Sequence, residues 1–144
     1  MGMLRYSVGN EHNPGDPFGR SELVIQPDGA ARLDHYFSRV ASAGAWTGQV
    51  DLSALDALCR ALDSAGFPAA PSTAPVAGAT LRRLCIEVDG AAEHVAIDWH
   101  QASKLPGYAE VCDILDGVIR QLSAGAVSYP TSQPVIVSGV ASAV

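Results

Sequence analysis

"LCIEVDGAAEHVAIDWH" (residues 84–100) decides the fold, because it holds two extended runs separated by one Asp-Gly dipeptide. Asp-Gly between alternating apolar residues is the strongest short-range signal for a β-hairpin with a two-residue turn. Such a turn pairs Val88 with Ala91 and Cys85 with His94. Side chains alternate between the two faces of a strand, so one face carries the apolar residues and the other carries Cys85 and His94. The segment therefore predicts a hairpin with one core face and one polar face.

The four letters "DGAA" occur twice, at residues 28–31 and 89–92, each time after a short β-branched run. Each of these segments is followed later by a stretch with apolar residues at helical spacing, 52–66 and 108–125. Both stretches end in Ser-Ala-Gly, and a glycine just after the last apolar residue is typical of a helix C-terminus. The pattern predicts an internal repeat of hairpin and helix.

The predicted fold class is therefore α+β, with a mainly antiparallel sheet and two helices packed on one face. The sheet is built from two hairpin-plus-helix halves, a pseudo-repeat. Residues 1–125 form the predicted single domain, in which halves 1–66 and 79–125 are joined by an Ala/Pro-rich loop at 67–78.

Three further strands are predicted outside the hairpins. Residues 4–8 and 45–50 have extended, alternating patterns. Residues 126–144 form an extended C-terminal tail, whose "PVIVSGV" is β-branched and uncharged and so favours an added strand. We expect that strand to complete the sheet of its own chain; addition to the sheet of another chain is the alternative.

The composition limits the classes of function. The 144 residues are 48% hydrophobic and 17% charged, which predicts a globular domain with a sizeable core. A formal net charge of -6, with Arg82 and Arg83 as the one adjacent basic pair, argues against nucleic acid and against an anionic membrane surface as partners. Three scattered cysteines and an N-terminus without a signal-peptide pattern predict a cytoplasmic location. The Ala-, Gly- and Arg-rich composition suggests a bacterial protein.

Two kinds of reaction centre can be drawn on the polar face of the second hairpin. Cys85 and His94, with Asp98 on the diagonal, would suit a small Cys/His-dependent hydrolase or transferase. His94, Asp98 and His100 alternate along one strand face and are the candidate metal ligands. A flat hairpin centre offers neither a helix N-terminus nor an oxyanion donor, so we prefer an ordinary polar face. We accordingly predict no catalytic residue, no metal and no cofactor.

The predicted function is a non-enzymatic protein- or peptide-binding accessory module of a bacterium. Its partner would lie along a sheet edge or in the groove between the halves, as in precursor-peptide guidance or toxin neutralisation by an immunity-like protein. An acidic surface suits a basic partner. The candidate binding residues are Trp46, Trp99, His100, Tyr108 and Arg20. The alternatives are the Cys/His enzyme and a structural homodimer assembled through tail strands.

Overall fold

The structure is a computed structural model, and its elements confirm the α+β class, the antiparallel sheet and the two helices. It describes residues 2–9, 20–36, 43–69, 81–88, 91–98, 105, 107–127 and 137–138. The elements, in chain order, are β1 (Met3–Gly9), β2 (Arg20–Ile25), β3 (Ala30–Tyr36), β4 (Ala43–Val50), α1 (Leu52–Ala65), β5 (Leu81–Val88), β6 (Ala91–Asp98), α2 (Tyr108–Leu122) and β7 (Val137–Ser138). For β5 and β7 the backbone alone is described.

The described strands form one sheet in the order β6-β5-β1-β2-β3-β4-β7, and all neighbours are antiparallel. In the second hairpin, β5–β6, Val88 lies opposite Ala91 and Cys85 lies opposite His94, so the predicted register is confirmed. β1 lies between the two hairpins and pairs with one strand of each. The N-terminal strand therefore joins the halves into a single sheet.

The two "DGAA" segments lie in hairpins of different register. In the first hairpin, β2–β3, the N–H of Gln26 donates to the carbonyl of Ala30 (2.8 Å), which leaves Pro27, Asp28 and Gly29 as the loop, and Gly29 has a φ of 91°. That geometry matches a three-residue loop closed by a left-handed residue. In the second hairpin Val88 lies opposite Ala91, which leaves two residues between the strands. The last alanine of the first segment, Ala31, therefore lies on the buried face of the sheet, whereas the last alanine of the second segment, Ala92, lies on the opposite face. The pseudo-repeat stays a prediction.

The core lies between the two helices and one face of the sheet, which we call the inner face. An amphipathic alternation produces this face, since every second residue of the strands is buried. The buried inner-face residues of β1 to β4 are Leu4, Tyr6, Val8, Ser21, Leu23, Ile25, Ala31, Leu33, His35, Trp46 and Val50. α2 contacts β3 and β4, and α1 packs against α2. An added Cβ on Gly107 would lie 2.5 Å from the Cα of Ala65, so the end of α1 touches the start of α2.

The two helices end differently. α1 ends at Ala65, and the predicted Gly66 is its C-cap, with a left-handed φ of 76°. α2 ends at Leu122, three residues before the predicted Gly125, and the Ser123 hydroxyl adds hydrogen bonds to those of the last turn. Its Oγ donates to the carbonyl of Ile119 (2.9 Å) and accepts from the N–H of Val127 (3.0 Å), a local arrangement that competes with helix continuation. In the described ranges, no helix is both long and apolar enough to cross a membrane.

Candidate functional site

Among the described strands, the longest run without a neighbour on one side is the edge formed by β6. β5 pairs with β6 on one side, and within the described residues no strand pairs with its other side. At the opposite end of the sheet, the two residues of β7 pair with Gln49 and Val50 of β4. β6 is eight residues long, which is enough for a partner strand of ordinary length.

The hairpin register fixes which backbone groups of β6 face away from β5. Residues that flank a two-residue turn exchange hydrogen bonds, and antiparallel pairs then alternate between bonded and non-bonded. Val88 and Ala91 are that flanking pair. Counting along β6 from Ala91, the N–H and C=O groups of Ala92, His94 and Ala96 therefore point outward. They form a row of main-chain donors and acceptors along the edge.

The side chains of β6 leave this row accessible. Ala91, Ala92, Glu93, His94 and Ala96 are exposed, and Val95 and Ile97 are buried on the inner face. Natural sheets protect exposed edges with lysine, proline or very short strands. β6 contains neither lysine nor proline and is not short. Its remaining protection is the inward-pointing charge of Glu93, so a partner strand must place a complementary side chain at that position.

The predicted Cys85–His94 pairing has a further neighbour in the same cross-strand row. Arg5 of β1 lies opposite Cys85 on the side away from His94, and both Arg5 and His94 are exposed. The side chains of Cys85 and Asp98, and all of His100, lie outside the described residues. Among the residues whose side chains are described, no group of three His, Cys, Asp or Glu could hold a metal ion. The catalytic and metal hypotheses for this face stay predictions.

The structure places two predicted aromatic anchors in the core. Trp46 is 8% exposed, and its ring lies over Gly44, where an added Cβ would collide with the ring. Tyr108 is 4% exposed, and its hydroxyl donates to the carbonyl of Ala69 (2.8 Å). Burial raises the pKa of Tyr108, and the nearby Cys112 adds to the shift. Neither ring is at the surface, and Trp99 lies outside the described residues.

Arg20, the remaining predicted binding residue, is held by its own neighbours at the start of β2. Its guanidinium lies 4.8 Å from the centre of the Tyr36 ring and pairs with Glu22. These three side chains lie on the outer face of the sheet. β5 and β1 separate β2 from β6 in the sheet order, so the structure does not bring Arg20 to the β6 edge.

Sequence reasoning missed a buried Ser–His hydrogen bond on the inner face. Ser21 Oγ lies 2.7 Å from His35 Nδ1, and the two residues are 0% and 2% exposed. Because no substrate could reach them without unfolding of the core, the pair serves as a satisfied buried hydrogen bond. The three-residue loop places Ser21 opposite His35. A two-residue turn at positions 28–29 would have placed Tyr36 there, so turn length was the missing signal.

A second buried polar contact joins the sheet to α2. The Tyr6 hydroxyl donates to Asp116 Oδ1 at 2.8 Å, and Asp116 is fully buried. A carboxylate in a core requires such donors to remain stable. This contact joins α2 to β1. The sequence did not predict it, because the position of one aspartate in an amphipathic helix does not show whether its side chain is buried.

No protein-family model, no curated protein and no solved structure matches the chain.

Proposed function

We propose that the chain is a non-enzymatic binding module that takes an extended segment of a protein or peptide partner as an additional strand on β6. The outward main-chain groups of Ala92, His94 and Ala96, on an eight-residue edge strand, carry this proposal. Strand addition of this kind draws affinity from main-chain hydrogen bonds and selectivity from alternate side chains.

Main-chain pairing alone supplies limited affinity. Each of the three outward residues offers two hydrogen bonds, each worth about 1 kcal/mol net. Association of two molecules costs on the order of 4–15 kcal/mol in lost freedom. Side-chain contacts along β6 must therefore contribute, and a partner is selected by what lies opposite the exposed residues of the strand.

The charge balance supports a partner with basic groups. The chain has a formal net charge of -6, and opposite net charge speeds association and favours the correct partner. Guidance of a precursor peptide and neutralisation of a toxin, in the cytoplasm of a bacterium, are roles that such a module would serve, and they belong to the proposal.

A displayed library of random ten-residue peptides, selected on the intact chain, tests the function. We expect the selected peptides to shift the backbone amide resonances of Ala92, His94 and Ala96. Ala96→Pro removes an outward N–H without removing a bond to β5, and should weaken binding at least about tenfold while the fold is kept. Ala96→Ser retains the N–H and is the matched control. Equal binding by the two variants, or resonance shifts confined to the helices, would contradict the proposal.

The register of β5–β6 also favours a second candidate function. Cys85 and His94 lie directly opposite each other, the arrangement that a small Cys/His-dependent hydrolase or transferase would need. Rapid labelling of Cys85 by a thiol reagent at neutral pH, lost in His94→Ala, would support it. Labelling of Cys85 at the rate of an ordinary exposed thiol would argue against it.

A further inference from the structure

The charged groups at the centre of the β6 edge lie on opposite faces of the sheet. Glu93 and His94 are both exposed. Consecutive residues of a strand point to opposite faces, so Glu93 is on the inner, helix-bearing face and His94 is on the outer face. A partner strand would meet an acid and an imidazole at two successive positions.

A second copy of the chain does not satisfy both groups. A closed dimer through two β6 edges requires antiparallel strands about a two-fold axis perpendicular to the sheet. Inner-face residues of one copy then lie opposite inner-face residues of the other. Glu93 would lie opposite Ala91, Glu93, Val95 or Ile97, none of which is basic, whereas His94 would lie opposite Asp98 in the register centred on Ala96. Self-pairing along β6 therefore leaves Glu93 without a complementary side chain in every register.

We propose that β6 recognises an antiparallel strand of a different chain in which an acidic residue is followed directly by a basic residue. This inference rests on the proposed strand addition. The acidic residue lies opposite His94 and accepts a hydrogen bond from the imidazole N–H, and the basic residue lies opposite Glu93. Directly opposite side chains have Cβ atoms about 4.5–5.5 Å apart, within reach of both contacts.

The order of the two residues follows from strand direction. An antiparallel partner runs against β6, so the residue after the one opposite His94 lies opposite Glu93. A parallel partner would need the reverse order, basic then acidic. All described pairings in the sheet are antiparallel, and antiparallel pairing is slightly more stable per residue. The proposed module thus distinguishes two peptides of the same composition.

Two synthetic peptides test the inference: Thr-Val-Thr-Val-Glu-Lys-Thr-Val and Thr-Val-Thr-Val-Lys-Glu-Thr-Val, each with an N-terminal fluorophore. They share composition, net charge and β propensity, and differ only in the central order. Fluorescence anisotropy with the full chain should give a Kd about fivefold lower for the Glu-Lys peptide, since the reverse order replaces the Lys–Glu93 pair by a repulsive Glu–Glu93 pair and removes the acceptor opposite His94.

A charge-exchanged chain provides the decisive control. The double variant Glu93→Lys/His94→Glu alters only exposed side chains and should prefer the Lys-Glu peptide. Equal affinity of the wild-type chain for the two peptides, or the same preference in the double variant, would overturn the inference while leaving strand addition standing. Binding of neither peptide, together with failure of the library selection, would overturn both proposals. Reversible dimerisation that Ala96→Pro abolishes would also overturn the inference, in favour of a second copy.

Discussion

The two edge regions of the sheet differ in how firmly they are tied to the rest of the molecule. At the β4 edge, the N–H of Val50 donates to the carbonyl of Gly29 (2.9 Å), and the Gln49 side chain donates to the carbonyl of Asp28 (2.6 Å). β7 pairs with the same end of β4. β6 instead presents exposed side chains and outward main-chain groups. The contrast shows that the β4 edge is tied at Gln49 and Val50 to the first hairpin and to β7, whereas β6 pairs on one side only within the described residues.

The largest expected effect on stability is at Gly29, in the turn that is hydrogen-bonded to Val50 of β4. Gly29 has a φ of 91°, and an added Cβ would lie 2.6 Å from the carbonyl oxygen of Val50. Gly29→Ala should lower the free energy of unfolding by about 2–4 kcal/mol, because a left-handed alanine is strained and the backbone must also move. Gly66→Ala is the matched control, since Gly66 has a φ of 76° with no atom within 4 Å of an added Cβ. Equal losses of unfolding free energy in the two variants, measured by urea denaturation, would show that the contact of Gly29 with Val50 does not restrict this turn.

A smaller effect is expected within β4 itself. Gly44→Ala would bring a methyl group into the Trp46 ring and should cost about 1–3 kcal/mol by overpacking. The corresponding change at the other edge, Ala92→Val, adds a larger group to an exposed position and should alter stability by less than about 0.5 kcal/mol. Thermal unfolding of the two variants compares the edges directly. Similar losses would mean that β6 is as constrained as β4.

Removal of β7 should have a modest effect. A chain that ends at Val127 loses the pairing of β7 with Gln49 and Val50, and its free energy of unfolding should fall by about 1–2 kcal/mol. Its mass by light scattering should equal that of a monomer, as should that of the full chain. A dimer that becomes monomeric on truncation would instead support assembly through tail strands.

The smallest expected effect on stability concerns Tyr108, in the core of the protein. Burial raises the pKa of Tyr108, so the folded state favours the neutral phenol. The stability that this provides is complete below the unfolded pKa of about 10 and is lost as the pH rises through the folded value. Tyr108→Phe should therefore lose less stability between about pH 9 and 11 than the wild-type chain. Parallel pH profiles of the two proteins would argue against the burial of this hydroxyl.

Local sequence signals predicted the second hairpin correctly, because a two-residue Asp-Gly turn determines the register of both strands. The first hairpin has the same dipeptide, yet Pro27 precedes it and Gly29 contacts Val50, so a tertiary contact and a longer loop changed the register. The one additional loop residue pairs Ser21 with His35 and so places both side chains on the inner face.

The candidate site was only partly predictable for a different reason. Which strand is an edge depends on the order β6-β5-β1-β2-β3-β4-β7, and no local pattern encodes the insertion of β1 between two hairpins. The exposure of His94 followed from its place on the predicted polar face, whereas Glu93 falls on the core face by strand alternation and its exposure was not predicted. Trp46 and Tyr108 could be core or surface residues on sequence grounds, since aromatic rings suit both environments.

The position of β1 has a consequence for how the chain folds. β1 pairs with β2, which lies nearby in sequence, and with β5, so that Met3 lies opposite Glu87. Contacts between residues so distant along the chain slow folding, because the chain entropy of closing the intervening loop is lost before the contact forms. During synthesis, β1 to β4 can pair with one another before residues 81–98 have been made. Until then β1 is itself an exposed edge. The nascent chain is therefore most prone to wrong strand pairing at β1, although β1 is an interior strand of the finished sheet.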